Sequence, residues 1–342
     1  MATTDERLAA LEAKLAALTA TTPTEYYTHQ YSGEEIDAAV GRALTGGALD
    51  TSVTNVSNQL GTFVRPNLLD NWYFGRTVNQ RGVSSGTEWG GNKYGLDRWV
   101  AFSVGVYWDS NGYIVFPPRL ENNLIYQRLK KSKFIVGSKI TLSLLTDDGN
   151  LFFKTVTYTG NTIYGVLSGT IFGNTTIVVT DDYVEIRIWY TENNASEGHL
   201  AAAKLELCSQ QTLAHQEGDR WVLNEIPDYG EQLRRCLRYD YILGNASQNC
   251  PIGIGTAYSN DGVMCVIQLP EYMRTNPAVT LSGGVQIRFS ATQILTATSV
   301  LNYGFSGDKV QLYFPGLSGL TPGQSCDLYT QIGSRLEFNS NL

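Results

Sequence analysis

Apolar residues in this chain follow different spacings in different stretches, and each spacing predicts a different element. Met1, Leu8, Leu11, Leu15 and Leu18 fall on a 7-3-4-3 pattern, the a/d seam of a coiled coil. Their neighbours are Ala, Lys, Arg and Glu, which favour helix, and Thr4 interrupts the seam at its first d position. So short a helix is marginal alone in water, so its stripe must be covered. The economical cover is another copy of the chain. Residues 1–22 are therefore predicted to be a coiled-coil segment, with Leu8, Leu11, Leu15 and Leu18 as its oligomerisation residues, ended by Pro23.

Residues 23–64 read as a connector or stalk. Ser32 and Glu35 make a capping-box signature. Ile36, Val40, Ala43 and Leu44 then form a short helical stripe, which Gly46-Gly47 stops. Leu49, Val53, Val56, Leu60 and Phe63 resume a 4-3-4-3 spacing with Thr, Ser and Asn between them. Such polar, β-branched filling suits a wound extended stalk as well as a coil.

From Pro66 the period shortens. Runs of Val, Ile, Thr, Tyr and Phe alternate with Gly, Asn and Asp turns, the grammar of an all-β sandwich. Strands are predicted over 99–107, 113–116, 139–146, 151–158, 183–190 and 200–207. In 183–190, Val184, Ile186, Ile188 and Tyr190 face one way, and Glu185, Arg187 and Trp189 the other. Residues 65–208 thus suit a jelly-roll β-sandwich. Residues 209–238 are predicted to be a linker helix. Pro227-Asp228 opens it, Tyr229, Leu233 and Leu237 share a face, and Glu231 and Arg235 form an i,i+4 pair. Residues 239–342 return to β, with strands over 263–269, 278–290, 293–301 and 309–314, as a C-terminal β-sandwich tip. The predicted fold class is mainly β, in a trimeric fibre architecture.

Composition sharpens this picture. Charged residues make up 17% of the chain and the net charge is −7, so attraction to nucleic acid or an anionic membrane is not expected. Residues 1–64 hold three basic and eight acidic side chains, a net of −5. Residues 251–342 hold only four basic and five acidic. A surface so poor in charge is either buried against sister subunits or presented to a neutral partner such as a glycan. No apolar run reaches the roughly 18 residues of a membrane helix. The N-terminus lacks a basic region followed by an apolar core, so synthesis in a host cytoplasm is expected. Five widely spaced cysteines without a CxxC pair read as reduced, packed thiols.

Several phrases resemble phage and prophage tail-fibre or receptor-binding proteins of gut Firmicutes. SGEEIDAAV at 32–40 resembles their connector. NLLDNWYFGRTVNQRG at 67–82 with YGLDRW at 94–99 resembles the opening of their jelly-roll module. AAKLELCSQQTL at 202–213 resembles its closing strand, and EQLRRCLRYD at 231–240 with LPEYMRTNPAVTL at 269–281 their C-terminal fibre module. The chain has Leu237-Arg238-Tyr239-Asp240 where the family often reads QRYY, and Cys208 where a glycine is common. The resemblance implies a homotrimeric virion tail appendage, assembled with other tail or baseplate proteins, that touches a bacterial surface glycan.

Nothing in the sequence forms a catalytic set. Asp147-Asp148 and Asp181-Asp182 suit hairpin turns, since adjacent strand residues point to opposite faces. His29, His199 and His215 belong to no HExxH pattern, and there is no GxSxG elbow. No enzyme activity, cofactor or metal site is expected. For sugar binding, aromatic rings at Gly/Asn-rich loops matter most, because a sugar's C–H face stacks on them. These are Trp89, Tyr94, Trp108 and Tyr113 in the first module, and Tyr258, Asn260, Asp261 and Tyr303 in the second. Trp99 and Trp189 lie within strands and read as structural. The basic run 128–133 reads as a solvated strand edge, with an anionic polymer as its other possible partner. The function expected is non-catalytic attachment, strengthened by avidity. The alternatives are a structural head fibre or adaptor, or a capsule-degrading tail enzyme.

Overall fold

The computed structural model describes residues 65–341 apart from 103–104, 119–122, 192–195 and 245–246, together with Ala9, Ala10, Glu12 and Ala13, which are helical. The seam Leu8, Leu11, Leu15 and Leu18 and the connector 23–64 lie outside the described residues.

The β-rich grammar after Pro66 produces two modules. The first contains β1 (Lys93–Tyr94), β2 (Val100–Ala101), β3 (Tyr107–Trp108), β4 (Ile114–Phe116), β5 (Leu124–Lys130), β6 (Lys139–Thr146), β7 (Leu151–Thr157), β8 (Thr176–Val179), β9 (Tyr183–Trp189) and β10 (Gly198–Glu206). They pair antiparallel into two five-stranded sheets, β1-β2-β5-β9-β8 and β3-β4-β10-β6-β7. Both sheets feed one core. Ile125, Val184, Ile186 and Ile188 come from the first, and Phe116, Ile140, Leu142, Leu144 and Leu200 from the second. This is a β-sandwich.

One expectation changes here. The strand foreseen over 99–107 is divided, with β2 in one sheet and β3 in the other. Of the basic run, Arg128–Lys130 end β5, beyond its pairing with β2, and Lys131–Lys133 form a short 3-10 turn; Arg128 Nε donates to Glu185 Oε2 at 2.7 Å. The outer side of β9 is also covered. Glu185 is 1% exposed and is held by both Arg128 and Arg187.

The foreseen linker helix over 209–238 is a hairpin followed by a short helix. Strands β11 (Ala214–Glu217) and β12 (Arg220–Leu223) pair with each other, and α1 covers only Tyr229–Leu237. Asp228 caps α1 by accepting the Glu231 N–H. The buried face of α1 is Gln232 and Cys236, while Tyr229 is exposed. Glu231 pairs with Arg234 at 3.0 Å, and Arg235 turns instead to Asp70 at 2.7 Å.

The second module comprises β13 (Asp240–Leu243), β14 (Cys250–Ala257), β15 (Val263–Gln268), β16 (Ala278–Ser282), β17 (Val285–Arg288), β18 (Ile294–Ala297), β19 (Leu301–Phe305), β20 (Lys309–Phe314), β21 (Ser325–Thr330) and β22 (Arg335–Asn339). A seven-stranded sheet, β18-β17-β21-β14-β15-β20-β19, and a three-stranded one, β13-β22-β16, share a core around Ile267, Ile287, Leu312, Phe314 and Phe338. The strand foreseen over 278–290 breaks at Gly283-Gly284, where the chain leaves one sheet for the other.

A buried ionic joint holds the modules together. Arg98, 1% exposed, donates to Asp70 at 3.2 Å, to the Arg128 carbonyl at 2.6 Å and to Asn341 Oδ1 at 2.6 Å, and its guanidinium lies 3.6 Å from the Tyr239 ring centre. Arg235 donates to Asp70 and to the carbonyls of Asn67 and Leu69. Arg81 meets Asp97 at 3.2 Å, Glu337 at 2.9 Å and also Asp240. Three carboxyl groups thus surround the Arg81 guanidinium, beneath which Tyr94 lies 5.0 Å away. Burial pushes Asp97 up to about 6 despite the pull of Arg81 and Gln80. Burial pushes Asp240 up to about 8, and the charges of Glu337 and Asp97 add to it against the pull of Arg81.

This has a defined sign. The folded state keeps a proton on Asp240 that the unfolded chain, with its ordinary value of 3.8, has already released. Its contribution to stability is complete below that value and is lost as pH rises through about 8. Thermal melts across this range should show stability falling with rising pH. Asp240→Asn should flatten the upper part of the fall, and an unchanged slope in that variant would refute the assignment.

Candidate functional site

The first module builds most of its foreseen binding aromatics into the framework. Trp89 is 8% exposed and packs where Gly95 leaves room: a Cβ there would sit 2.1 Å from its ring. Tyr94 is half-buried on β1 under Arg81. Trp108 is half-buried on β3, and its Nε1 donates to the Phe74 carbonyl at 3.2 Å. Tyr113 differs. It borders a groove of about 390 Å³, together with Tyr73 and Trp221.

The second module gathers its foreseen residues at one corner. Tyr258 follows β14, and its N–H donates to the Gly262 carbonyl to close a turn over Ser259–Asp261. Asp261 Oδ1 accepts the Ser259 hydroxyl at 2.5 Å. The carbonyls of Asn260 and Asp261 accept the N–H groups of Leu320 and Leu317, which fixes the turn against the loop before β21. Tyr303 stands on β19 and is 60% exposed, and Tyr258 is 62% exposed.

Between them lies Tyr313 of β20. Its ring centre is 6.2 Å from that of Tyr258, edge to face, and 5.8 Å from that of Tyr303. The three rings form a row across the outer side of the seven-stranded sheet. The row depends on Gly262, because a Cβ there would lie 2.1 Å from the Tyr313 hydroxyl. Beside it a shallow hollow of about 420 Å³ is lined by Ile254, Thr256, Met264 and Val266. Chemically, the row offers flat π surfaces for C–H faces, and Asn260 and Asp261 offer exposed polar groups at its rim.

Sequence reasoning missed Tyr313, Tyr73, Arg220 and Trp221. Tyr313 alternates outward between the buried Leu312 and Phe314, so the period of two carried its signal. Trp221 fell inside the foreseen helix. Its signal was Gly218-Asp219 between alternating residues, the chemistry of a tight hairpin. Gly218 does take a positive φ, +60°.

Among the described residues, no cluster of His, Cys, Asp or Glu could hold a metal ion, and no helix is long and apolar enough to cross a membrane. The five cysteines are free thiols. No family model and no curated protein matches the chain.

Gly262→Ala tests the built nature of the row. The added methyl should force the Tyr313 ring aside, change the near-ultraviolet circular dichroism of the tyrosines and cost about 1–3 kcal/mol of stability. An unaltered spectrum would show that the ring is not held there.

Proposed function

We propose that this chain is a non-catalytic phage-type fibre protein that attaches a virion to a bacterial surface glycan. The observation that carries this reading is the open row Tyr258–Tyr313–Tyr303, with Asn260 and Asp261 at its rim, in a module poor in charge. Exposed tyrosine rings take the apolar face of a neutral sugar, and neighbouring amide and carboxylate groups take its hydroxyls. A jelly-roll-type sandwich would carry the tip module. A trimer joined through the N-terminal seam would present three copies of the row, and each weak contact would gain by avidity. Other tail or baseplate proteins would be its virion partners. Asp261 is already engaged by Ser259, whereas glycoside cleavage requires two carboxyl groups flanking the bond.

One observation favours a second reading. Ile254 and Val266, on the same sheet face, are 73% and 56% exposed. Apolar side chains so placed also suit packing against sister chains, in a purely structural head fibre or adaptor.

Binding of the full chain to Gram-positive cells and to their extracted glycans, with molecular mass by light scattering, separates the two. Saturable, sugar-competed binding, weakened about tenfold by Tyr258→Ala or Tyr303→Ala at unchanged mass, is expected for adhesion. Loss of trimeric mass in Ile254→Glu with Val266→Glu, and no glycan binding by the parent chain, would select the structural reading.

A further inference from the structure

The groove beside Tyr113 lies in the first module and shares no residue with the tyrosine row. Three turns wall it: Asp109–Tyr113 between β3 and β4, Asp147–Asn150 between β6 and β7, and the β11–β12 hairpin.

Each turn is fixed by its own hydrogen bonds. Asp109 Oδ1 accepts the N–H groups of Asn111 at 3.0 Å and Tyr113 at 2.8 Å. Thr146 N–H donates to the Asn150 carbonyl, and the Asn150 amide donates to Asp148 at 2.6 Å. The hairpin is tied on by Trp221 N–H donating to the Gly149 carbonyl at 3.0 Å. At the floor Gly112 lies directly against Gly75: a Cβ on Gly112 would come within 2.5 Å of the Gly75 Cα. The groove is therefore preformed, which lowers the cost of ordering it around a ligand.

Its chemistry differs from that of the tyrosine row. Tyr73, Tyr113 and Trp221 supply rings, and Ile226 is 57% exposed beside them. Asp147, the acid at the groove, has its Oδ2 3.1 Å from His199 Nδ1. His199 also approaches Glu197 at 3.5 Å, and its ring centre is 6.1 Å from that of Tyr113. Arg220 is exposed on the β11–β12 hairpin, its stem lying across Gly149, two residues from Asp147, and among the described residues no carboxylate is paired with it. The groove thus combines aromatic faces with an exposed guanidinium that makes no ion pair among the described residues. A guanidinium fork suits the paired oxygens of a carboxylate or phosphate.

We infer that this groove is a second, independent glycan site, and that its ligand is a sugar ring carrying an acidic substituent. The ring stacks on Trp221 or Tyr113, the acidic group meets Arg220, and Asn111 takes a hydroxyl. The volume suits a unit of one or two sugars, at the small end of ligand pockets.

The test is titration of the full chain with D-glucuronate, glucose 6-phosphate and D-glucose, followed by tryptophan fluorescence and saturation-transfer NMR. At least one acidic sugar should bind about tenfold more tightly than glucose. Preference for glucuronate would identify a uronate-bearing glycan, and preference for the phosphate a phosphorylated one. Arg220→Gln should abolish the preference while leaving glucose binding and the melting temperature unchanged. Trp221→Ala should weaken both acidic sugars, and Tyr258→Ala neither of them. Equal binding of glucose and both acidic sugars, or an undiminished preference in Arg220→Gln, would overturn the assignment. Loss of acidic-sugar binding in Tyr258→Ala would place the site at the tyrosine row instead.

Discussion

One buried guanidinium, Arg98, and two partly buried ones, Arg81 and Arg235, organise the junction on which the rest of the described fold depends. Taking Arg98 out of water costs several kcal/mol unless every donor finds a partner. Asp70, Asn341 and the Arg128 carbonyl provide those partners, and the Tyr239 ring closes the remaining face. The backbone of Arg98 adopts φ of +71°, a conformation that a non-glycine residue rarely takes. Such a residue persists only where its surroundings over-determine it. Here the partners come from the start of the sandwich, from β5, from the chain just after α1 and from the C-terminal end. No one of these segments could be removed without stranding a buried charge.

This joint draws together segments that lie far apart along the chain. NLLDNW contributes Asn67, Leu69 and Asp70; YGLDRW contributes Asp97 and Arg98; EQLRRCLRYD contributes Gln232, Arg235 and Asp240. Distant segments converge on a single set of ion pairs. Most of the residues proposed to meet a ligand, Tyr258, Asn260, Asp261, Tyr303, Tyr313, Arg220 and Trp221, lie outside those phrases. The joint and the proposed binding residues therefore come from different stretches of the chain.

The sequence made the long strands legible because their inward residues alternate strictly. Val184, Ile186 and Ile188 are all fully buried, and Leu312 and Phe314 likewise. It misled where a side chain's partner is remote. Trp89 looked like a loop aromatic, yet Gly95 leaves a slot into which its ring sinks. Arg235 looked like a helix-surface partner of Glu231, yet Asp70, 165 residues earlier, is the stronger attraction. At 209–238 the short helix after Pro227 coloured the reading of the hairpin before it, whose Gly218-Asp219 turn was the better signal. The tyrosine corner was half legible. The loop residues stood out by composition, but Tyr313 joined them only through strand register, opposite Met264 on one side and Leu301 on the other.

The Arg98 joint also has a mechanical meaning. A pull on the C-terminal module reaches the sandwich along the covalent chain at α1 and through the guanidinium contacts of Arg81, Arg98 and Arg235. Those contacts lie in parallel, so load is divided among them, and none can stretch far before its charges are exposed unpaired. A joint of this kind is stiff over short distances and fails abruptly beyond them. It behaves as a rivet between two plates rather than as a hinge.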